Sequence, residues 1–451
     1  MKRDIDPKLL DWKLDSGRRV LLVRGARQVG KTYSVRELGR TFTNYLEVNF
    51  EEQPDVCLFF RDSPDPVRLR EKLAAYYATP IVPGETLLFL DEIQSCPEAF
   101  SSLRFFHEKM PDLHVVAAGS LLELAVAEIP SLGVGRLTSL HLYPLTFREY
   151  LAALGEEALS RVVDEADPDH PLDEPFHRRL VDHVKGYQLV GGMPAVVDAY
   201  ARTRDLAACF RIQDDLITSF QDDFAKYKKR APVARLAEVF RSVVMQSGAK
   251  FKYSFVGSGS STLALKDALH LLVQAGLVYR VVHTQARGIP LGAQVDETKF
   301  KAMLFDVGIH QRLLGLDVPE YLTSSDLELV NRGSVAEVFT GLELVGNHPA
   351  QTRPMLHYWH REARGSNAEV DFVIQQGAGI IPVEVKAGTR GQMQSMYRFM
   401  NERGLRRGVR VALEHFARYD VVEVVPLYAV RYLARPPRSA PVHGDGLTPL
   451  P

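Results

Sequence analysis

Short, purely apolar runs separated by helix-length mixed stretches fill the first third of the chain. VLLV at 20–23, LLFL at 87–90 and HVVAA at 114–118 lack the alternation of half-exposed strands. Runs of this kind predict parallel strands covered on both faces, with helices between them. Residues 1–155 therefore read as one α/β domain. Acidic residues with Pro168, Pro171 and Pro175 then mark a linker or surface insertion. Beyond it Leu206, Phe210, Leu216, Ile217, Phe220 and Phe224 recur at near-helical spacing, so 156–231 reads as a helical lid or connector.

From 232 to 322 the pattern is that of a winged helix. Leu236, Val239, Phe240, Val243 and Val244 make one helical stripe, 263–275 a second, and LVYRVV at 277–282 a strand. A Gly/Ser-rich stretch at 257–261 stands where a middle helix would be, which weakens a DNA-reading helix-turn-helix. The region 323–436 predicts a helix over 335–345, strands at 355–360, 369–374 and 380–386, and a tight connection at Gly377 and Gly379. The Pro- and Gly-rich end, 437–451, predicts disorder.

Chemistry enters at 25–32, where Gly25, Ala26, Arg27, Gln28, Val29, Gly30, Lys31 and Thr32 fit G-x-x-x-x-G-K-[ST]. The glycines let successive N–H groups face phosphate oxygens, Lys31 supplies a cation and Thr32 a hydroxyl for Mg²⁺. A strand before the loop and a helix after it predict ATP at a helix N-terminus. Asp91 and Glu92 close the 87–90 strand; Asp91 is the expected Mg²⁺ ligand and Glu92 the base for the attacking water. Ser120 ends the next strand and is either a γ-phosphate sensor or a helix N-cap. Arg136 is a candidate for transition-state charge in this subunit or a neighbour, and equally a surface arginine.

Composition adds bounds. A length of 451 residues fits about three domains, and a net charge of −1 makes no global case for nucleic acid or membrane. Cys57, Cys96 and Cys209 fit no metal spacing and suggest a reducing cytoplasm. No apolar segment approaches membrane-spanning length, so the expectation is a cytoplasmic protein without a membrane partner. A homo-oligomer is among the expected partners, with its size left open.

The C-terminal strands carry a second constellation. Glu384 and Lys386 share one strand face, Asp371 and Glu369 can meet them from the neighbouring strand, and Glu337 lies on the preceding helix. Such acids could hold a second Mg²⁺ or Mn²⁺ and activate water for phosphodiester cleavage, with Lys386 steadying the developing charge. Equally, they could be solvated acids with Glu384 paired to Lys386. Arginines between 390 and 438 could face DNA or RNA phosphates, or solvent.

Taken together, VRGARQVGKT at 23–32, LFLDEIQ at 88–94, AGSLL at 118–122, YPLTFREY at 143–150, GGMP at 191–194 and FDVG at 305–308 resemble bacterial and archaeal AAA-type ATPases with an uncharacterised C-terminal domain. The strands at 369–374 and 383–388 complete the resemblance. It implies an AAA-like P-loop ATPase domain, a winged-helix-like region and a restriction-endonuclease-like domain of PD-(D/E)XK type. In that pattern Asp371 is the lone acid, Glu384 and Lys386 the paired motif, Glu337 the helix acid, and Asp371, Glu384 and Glu337 the metal ligands. Val370 stands where the pattern has proline. Two functions follow as expectations: an ATPase controlling a nuclease, or an ATP-driven switch whose nuclease-like domain only binds a partner.

Overall fold

A computed structural model describes residues 1–434 except 121, 123–134, 228–229, 258, 317–331, 362–367 and 389–392. The expected disordered tail lies outside the described residues. The first sheet holds β1 (Val20–Arg24), β2 (Asn44–Asn49), β3 (Thr86–Asp91), β4 (His114–Ala118) and β5 (Leu137–His141), ordered β2-β3-β4-β1-β5 and wholly parallel. Its apolar runs are buried on both faces, as their lack of alternation requires. Leu21, Val23, Leu87, Phe89, Val116 and Ala118 enter one core, and Leu22, Leu88, Leu90, Val115 and Ala117 the other. Inserting β4 between β1 and β3 brings three loops to one edge: those after β1, β3 and β4.

The second sheet contains β6 (Val278–Thr284), β7 (Val295–Leu304), β8 (Leu356–His360), β9 (Glu369–Gln376), β10 (Gly379–Val385), β11 (Gly408–Ala412), β12 (Ala417–Tyr419) and β13 (Val422–Pro426). Its order is β12-β13-β11-β10-β9-β8-β6-β7. The hairpin β6–β7, which follows the helices Val233–Met245 and Thr262–Gln274, does not stand apart as a wing. β6 pairs in parallel with β8, so the sheet runs across the boundary expected near 322.

Two sequence segments 114 residues apart make one joint. Asp306 is 1% exposed; its Oδ2 accepts the Gly192 N–H at 2.6 Å, and its Oδ1 the Ile309 N–H at 2.9 Å as helix N-cap. Burial pushes this carboxyl up to about 6, against the pull of those N–H donors. Gly308 lies so close that a Cβ would fall 2.7 Å from the Gly191 N and the Val190 carbonyl carbon. GGMP and FDVG are thus the two halves of a packed contact between the helical connector and the second sheet.

The expectation for the cysteines is corrected. Cys57 and Cys96, 39 residues apart, form a disulfide, while Cys209 is free and buried. Packing of helix Cys57–Asp62 against helix Pro97–Lys109 brings the first two together, which linear spacing does not reveal. Cysteine usage therefore gives no argument for a reducing compartment. No helix among the described residues is long and apolar enough to cross a membrane.

Gly308→Ala puts a methyl into backbone atoms that cannot step aside, so it is expected to cost about 1–3 kcal/mol. A fall in Tm by scanning calorimetry measures it; an unchanged Tm would contradict this packing.

Candidate functional site

β1 delivers the loop and helix Lys31–Gly39 leaves it. Gly25 has φ +147°, and a Cβ there would lie 2.1 Å from the Leu142 carbonyl oxygen; Gly30, at +99°, is left-handed. The Lys31 ammonium donates to the carbonyls of Gly25 (3.0 Å) and Ala26 (2.8 Å), bending the lysine back over the loop. Burial lowers its pKa to about 8, although Glu92 and Asp91 pull it up. These residues fit a nucleotide: glycines where a side chain would collide, and a cation held at the mouth of a helix N-terminus.

The rest of the loop is held from two directions. Arg27 donates to both oxygens of Asp223 at 2.9 Å, and the Gln28 amide reaches the Ser219 hydroxyl at 3.4 Å, both on helix Leu206–Asp223. Val29 is fully buried, and its carbonyl accepts from Arg3 at 2.8 Å. Arg3, itself 6% exposed, also donates to the Tyr143 carbonyl (2.7 Å) and to Glu149 (2.9 Å). Linear reading offers no signal for Arg3, since a basic residue near an N-terminus is ordinarily solvated.

At the same edge the Thr32 hydroxyl donates to Asp91 Oδ2 at 2.9 Å, the pair a Mg²⁺ would draw on. Burial raises Asp91 to about 6, with Glu92 adding repulsion while Thr32 and the Glu92 N–H oppose it. Glu92 adopts a left-handed φ of +47°. Its Oε2 accepts from the Gln94 amide (2.6 Å) and from the Ser120 N–H and hydroxyl (both 3.0 Å). Burial pushes Glu92 up, but these donors prevail and hold it below the usual carboxylate range. Ser120 is thus a bonded neighbour of the candidate base. Gln94 is the partner that sequence reading passed over, although it closes the LFLDEIQ segment.

Arg136 is elsewhere. It precedes Leu137, which pairs with Val20 at the start of β1, on the edge opposite the loop, and it forms an ion pair with Glu108. Parallel strands put consecutive C-terminal ends together, so a residue before β5 cannot reach its own chain's loop after β1. The candidate role within this subunit is corrected on that ground.

In the second sheet Asp371, Glu384 and Lys386 do approach. The Val385 N–H donates to Asp371 Oδ2 at 2.8 Å, and Lys386 to Glu384 Oε1 at 2.6 Å. Glu384 is 6% exposed, and burial followed by repulsion from Asp371 raises it to about 7 against the pull of Lys386. The unexpected member is Lys301 on β7, whose side chain is 3% exposed. Its ammonium lies 2.7 Å from Glu337, 2.7 Å from Glu369 and 3.5 Å from Asp371. Burial opposes that charge, yet the three carboxylates outweigh it and keep the lysine protonated. Among the described residues, Glu337, Asp371 and Glu384 do not bring their oxygens within 4.8 Å of one another as a set. As placed, Glu337, Glu369 and Asp371 surround the Lys301 ammonium and Glu384 pairs with Lys386, so the set is not gathered for a Mg²⁺ or Mn²⁺ ion.

Comparison with known families covers the domain that carries the first of these sites. A family model described as an AAA domain matches residues 17–151. Residues 17–151 form an AAA-type P-loop domain. Two further models, both described as domains of unknown function (DUF8612 and DUF4143), match 181–320 and 332–430. No curated protein matches the chain. Among solved structures, the Walker-type ATPase of Pyrococcus abyssi is similar at 15% identity and a TM-score of 0.46, covering 69% of this chain and 95% of its own. The ORC2 protein of Aeropyrum pernix, solved with ADPNP and ADP, is similar at 14% identity and a TM-score of 0.39, covering 70% and 93%.

A proton-linkage prediction follows for the AAA-type domain. Nucleotide phosphates favour the ammonium form of Lys31, whose pKa before binding is about 8. Below that pH the lysine already carries its proton, and above it binding must take one up. ATP affinity is therefore expected to fall as pH rises from 7 to 9. Titration calorimetry in buffers of different ionisation enthalpy should show uptake of up to about one proton at pH 9. Pure release at that pH would refute the assignment.

Proposed function

We propose that the AAA-type domain hydrolyses ATP with Mg²⁺ and that its nucleotide state sets the posture of the C-terminal domain, which binds a partner without cleaving it. The observation carrying the first part is the continuous set Lys31, Thr32–Asp91 and Ser120–Glu92–Gln94 along one sheet edge. Thr32 and Asp91 would hold Mg²⁺, which screens phosphate charge, and Glu92 would take a proton from the attacking water. As described, Glu92 is tied to Ser120 and Gln94. A γ-phosphate competing for the Ser120 hydroxyl would release the carboxylate, linking base activity to occupancy.

The route to the C-terminal domain is supported by direct contacts. Helix Arg332–Gly346 carries Glu337 in the acid cluster and, two turns on, Glu343, whose Oε1 accepts the Phe147 N–H at 2.7 Å. The His141 N–H at the end of β5 donates to the Ala350 carbonyl at 2.8 Å. Gly276, after helix Thr262–Gln274, lies against Ala26 of the phosphate loop. A shift of the loop would therefore push on the segments that orient β8 and β9.

Binding is preferred over cleavage because Lys301 already compensates the acids. Replacing that lysine removes the partner of buried carboxylates, a change that costs roughly 3–5 kcal/mol. Lys301→Met is expected to lower Tm, and more at pH 8 than at pH 5. The sign follows because uncompensated acids have raised folded-state pKa values, so stability present at low pH is lost as pH rises.

Phosphate release by Glu92→Gln is expected to drop about 100-fold or more, with ATP binding retained; equal rates would remove Glu92 from the mechanism. Wild type offered DNA and RNA with Mg²⁺ or Mn²⁺ is expected to leave them intact. Cleavage that Asp371→Ala and Lys386→Ala abolish would replace the binding reading with a nuclease.

A further inference from the structure

Where β8 ends and β9 begins, a cavity of about 170 Å³ opens at the rim of the second sheet. At ~30 Å³ per water, that is room for about five waters or one compact polyatomic anion. Among the described residues its wall holds three guanidiniums, Arg287, Arg361 and Arg403, and a single carboxylate, Glu402. Glu402 is engaged by Arg361, Nε to Oε1 at 2.9 Å, and its Oε2 lies 3.9 Å from Arg403 Nη1, so one acid faces two of the three guanidiniums. Arg403 is fixed: its Nε and Nη2 donate to the Gln285 carbonyl at 3.1 and 2.9 Å, and its guanidinium lies 5.7 and 6.0 Å from the ring centres of Phe399 and Trp359. Burial lowers its pKa, Glu402 raises it, and the charge of Arg287 lowers it again.

Like charges held together at a concave, partly desolvated place repel one another until an anion enters. Two features distinguish this cavity from a solvated arginine face. Arg403 is preorganised on rings and a carbonyl, so little side-chain entropy remains to be lost on binding. The rings of His283 and His360 close the wall, their centres 4.3 Å apart. The cavity also adjoins the acid cluster: His360 is the register partner of Glu369, which bonds Lys301.

We propose that this cavity binds a phosphate monoester, the chemistry shared by the phosphorylated end of a nucleic-acid strand and by a free phosphorylated small molecule. A dianionic tetrahedral group answers the charge of three gathered guanidiniums better than one carboxylate does. The proposal rests on the reading of the C-terminal domain as a binding domain and gives that domain a ligand class.

The test uses the full chain carrying Lys31→Ala, which removes the phosphate loop as a competing site. Calorimetric titrations use inorganic phosphate, a 5′-phosphorylated single-stranded oligonucleotide and its 5′-hydroxyl twin. Arg287→Gln, at an exposed position, should leave Tm unchanged and weaken phosphate binding about tenfold. Arg403→Lys, which keeps the charge and loses the fork, should weaken it as well. A phosphorylated oligonucleotide binding at least tenfold tighter than its twin makes the strand end the source. Equal oligonucleotide affinities, with inorganic phosphate bound and sensitive to Arg287→Gln, make a small phosphorylated molecule the source. Absence of phosphate binding, or binding unchanged in both variants, overturns the proposal. ATP turnover and the cleavage panel are read with Lys31 intact. A nuclease that still loses phosphate affinity with Arg287→Gln would overturn the binding-only reading and leave this site standing.

Discussion

Buried carboxylates that accept backbone N–H groups from distant parts of the chain are the constraint on which the arrangement of this protein depends. Glu149 takes the Asp4 N–H and the Arg3 guanidinium on one oxygen and the Thr146 N–H on the other. Glu343 takes the Phe147 N–H, and Asp306 the Gly192 N–H. All three are at most 5% exposed. A buried charge without its donors costs several kcal/mol, so each carboxylate tolerates only the placement that supplies them. The N-terminal segment and helix Arg332–Gly346 are thereby fixed against the AAA-type domain, and the connector against the second sheet.

Those welds meet the nucleotide machinery at a few points. Arg3 joins Glu149 to the Val29 carbonyl in the phosphate loop, and Asp223 on the connector holds Arg27. The loop is consequently braced from the N-terminal segment and from the connector while Gly276 touches it from a third side. Such bracing suits a switch: displacement of one small loop is carried by elements that cannot yield separately. The acid cluster at the far end of helix Arg332–Gly346 shows the same economy. Lys301 lies among Glu337, Glu369 and Asp371, so part of their charge is met from within the chain.

Much of this was legible beforehand. The doubly buried strands of the first sheet, the loop from Gly25 to Thr32 and the neighbouring Asp91 and Glu92 announce themselves through periodicity and local spacing. The helix around Glu337 and strands β9 and β10 were legible for the same reason. Arg3, Lys301 and the Cys57–Cys96 pairing were not, because each acquires its role from a residue at least 26 positions away. YPLTFREY, GGMP and FDVG were visible as segments without a task; packing shows them to be joints built on Thr146, Gly192 and Asp306. For Arg136 the choice among its alternatives needed the fold, because the side of a sheet on which a residue emerges depends on strand direction and order.

The sequence alone determined that this protein carries a phosphate-binding loop on a parallel sheet, since glycines, a lysine and a hydroxyl at fixed spacing act within one turn of chain. It also placed acids and a lysine on adjacent C-terminal strands, because side chains alternate with period two. Tertiary structure decided which charge neutralises those acids, which helix holds the loop, and where arginines gather around a cavity. Those outcomes depend on burial, which sets the strength of every charge–charge contact and is a property of the folded surface.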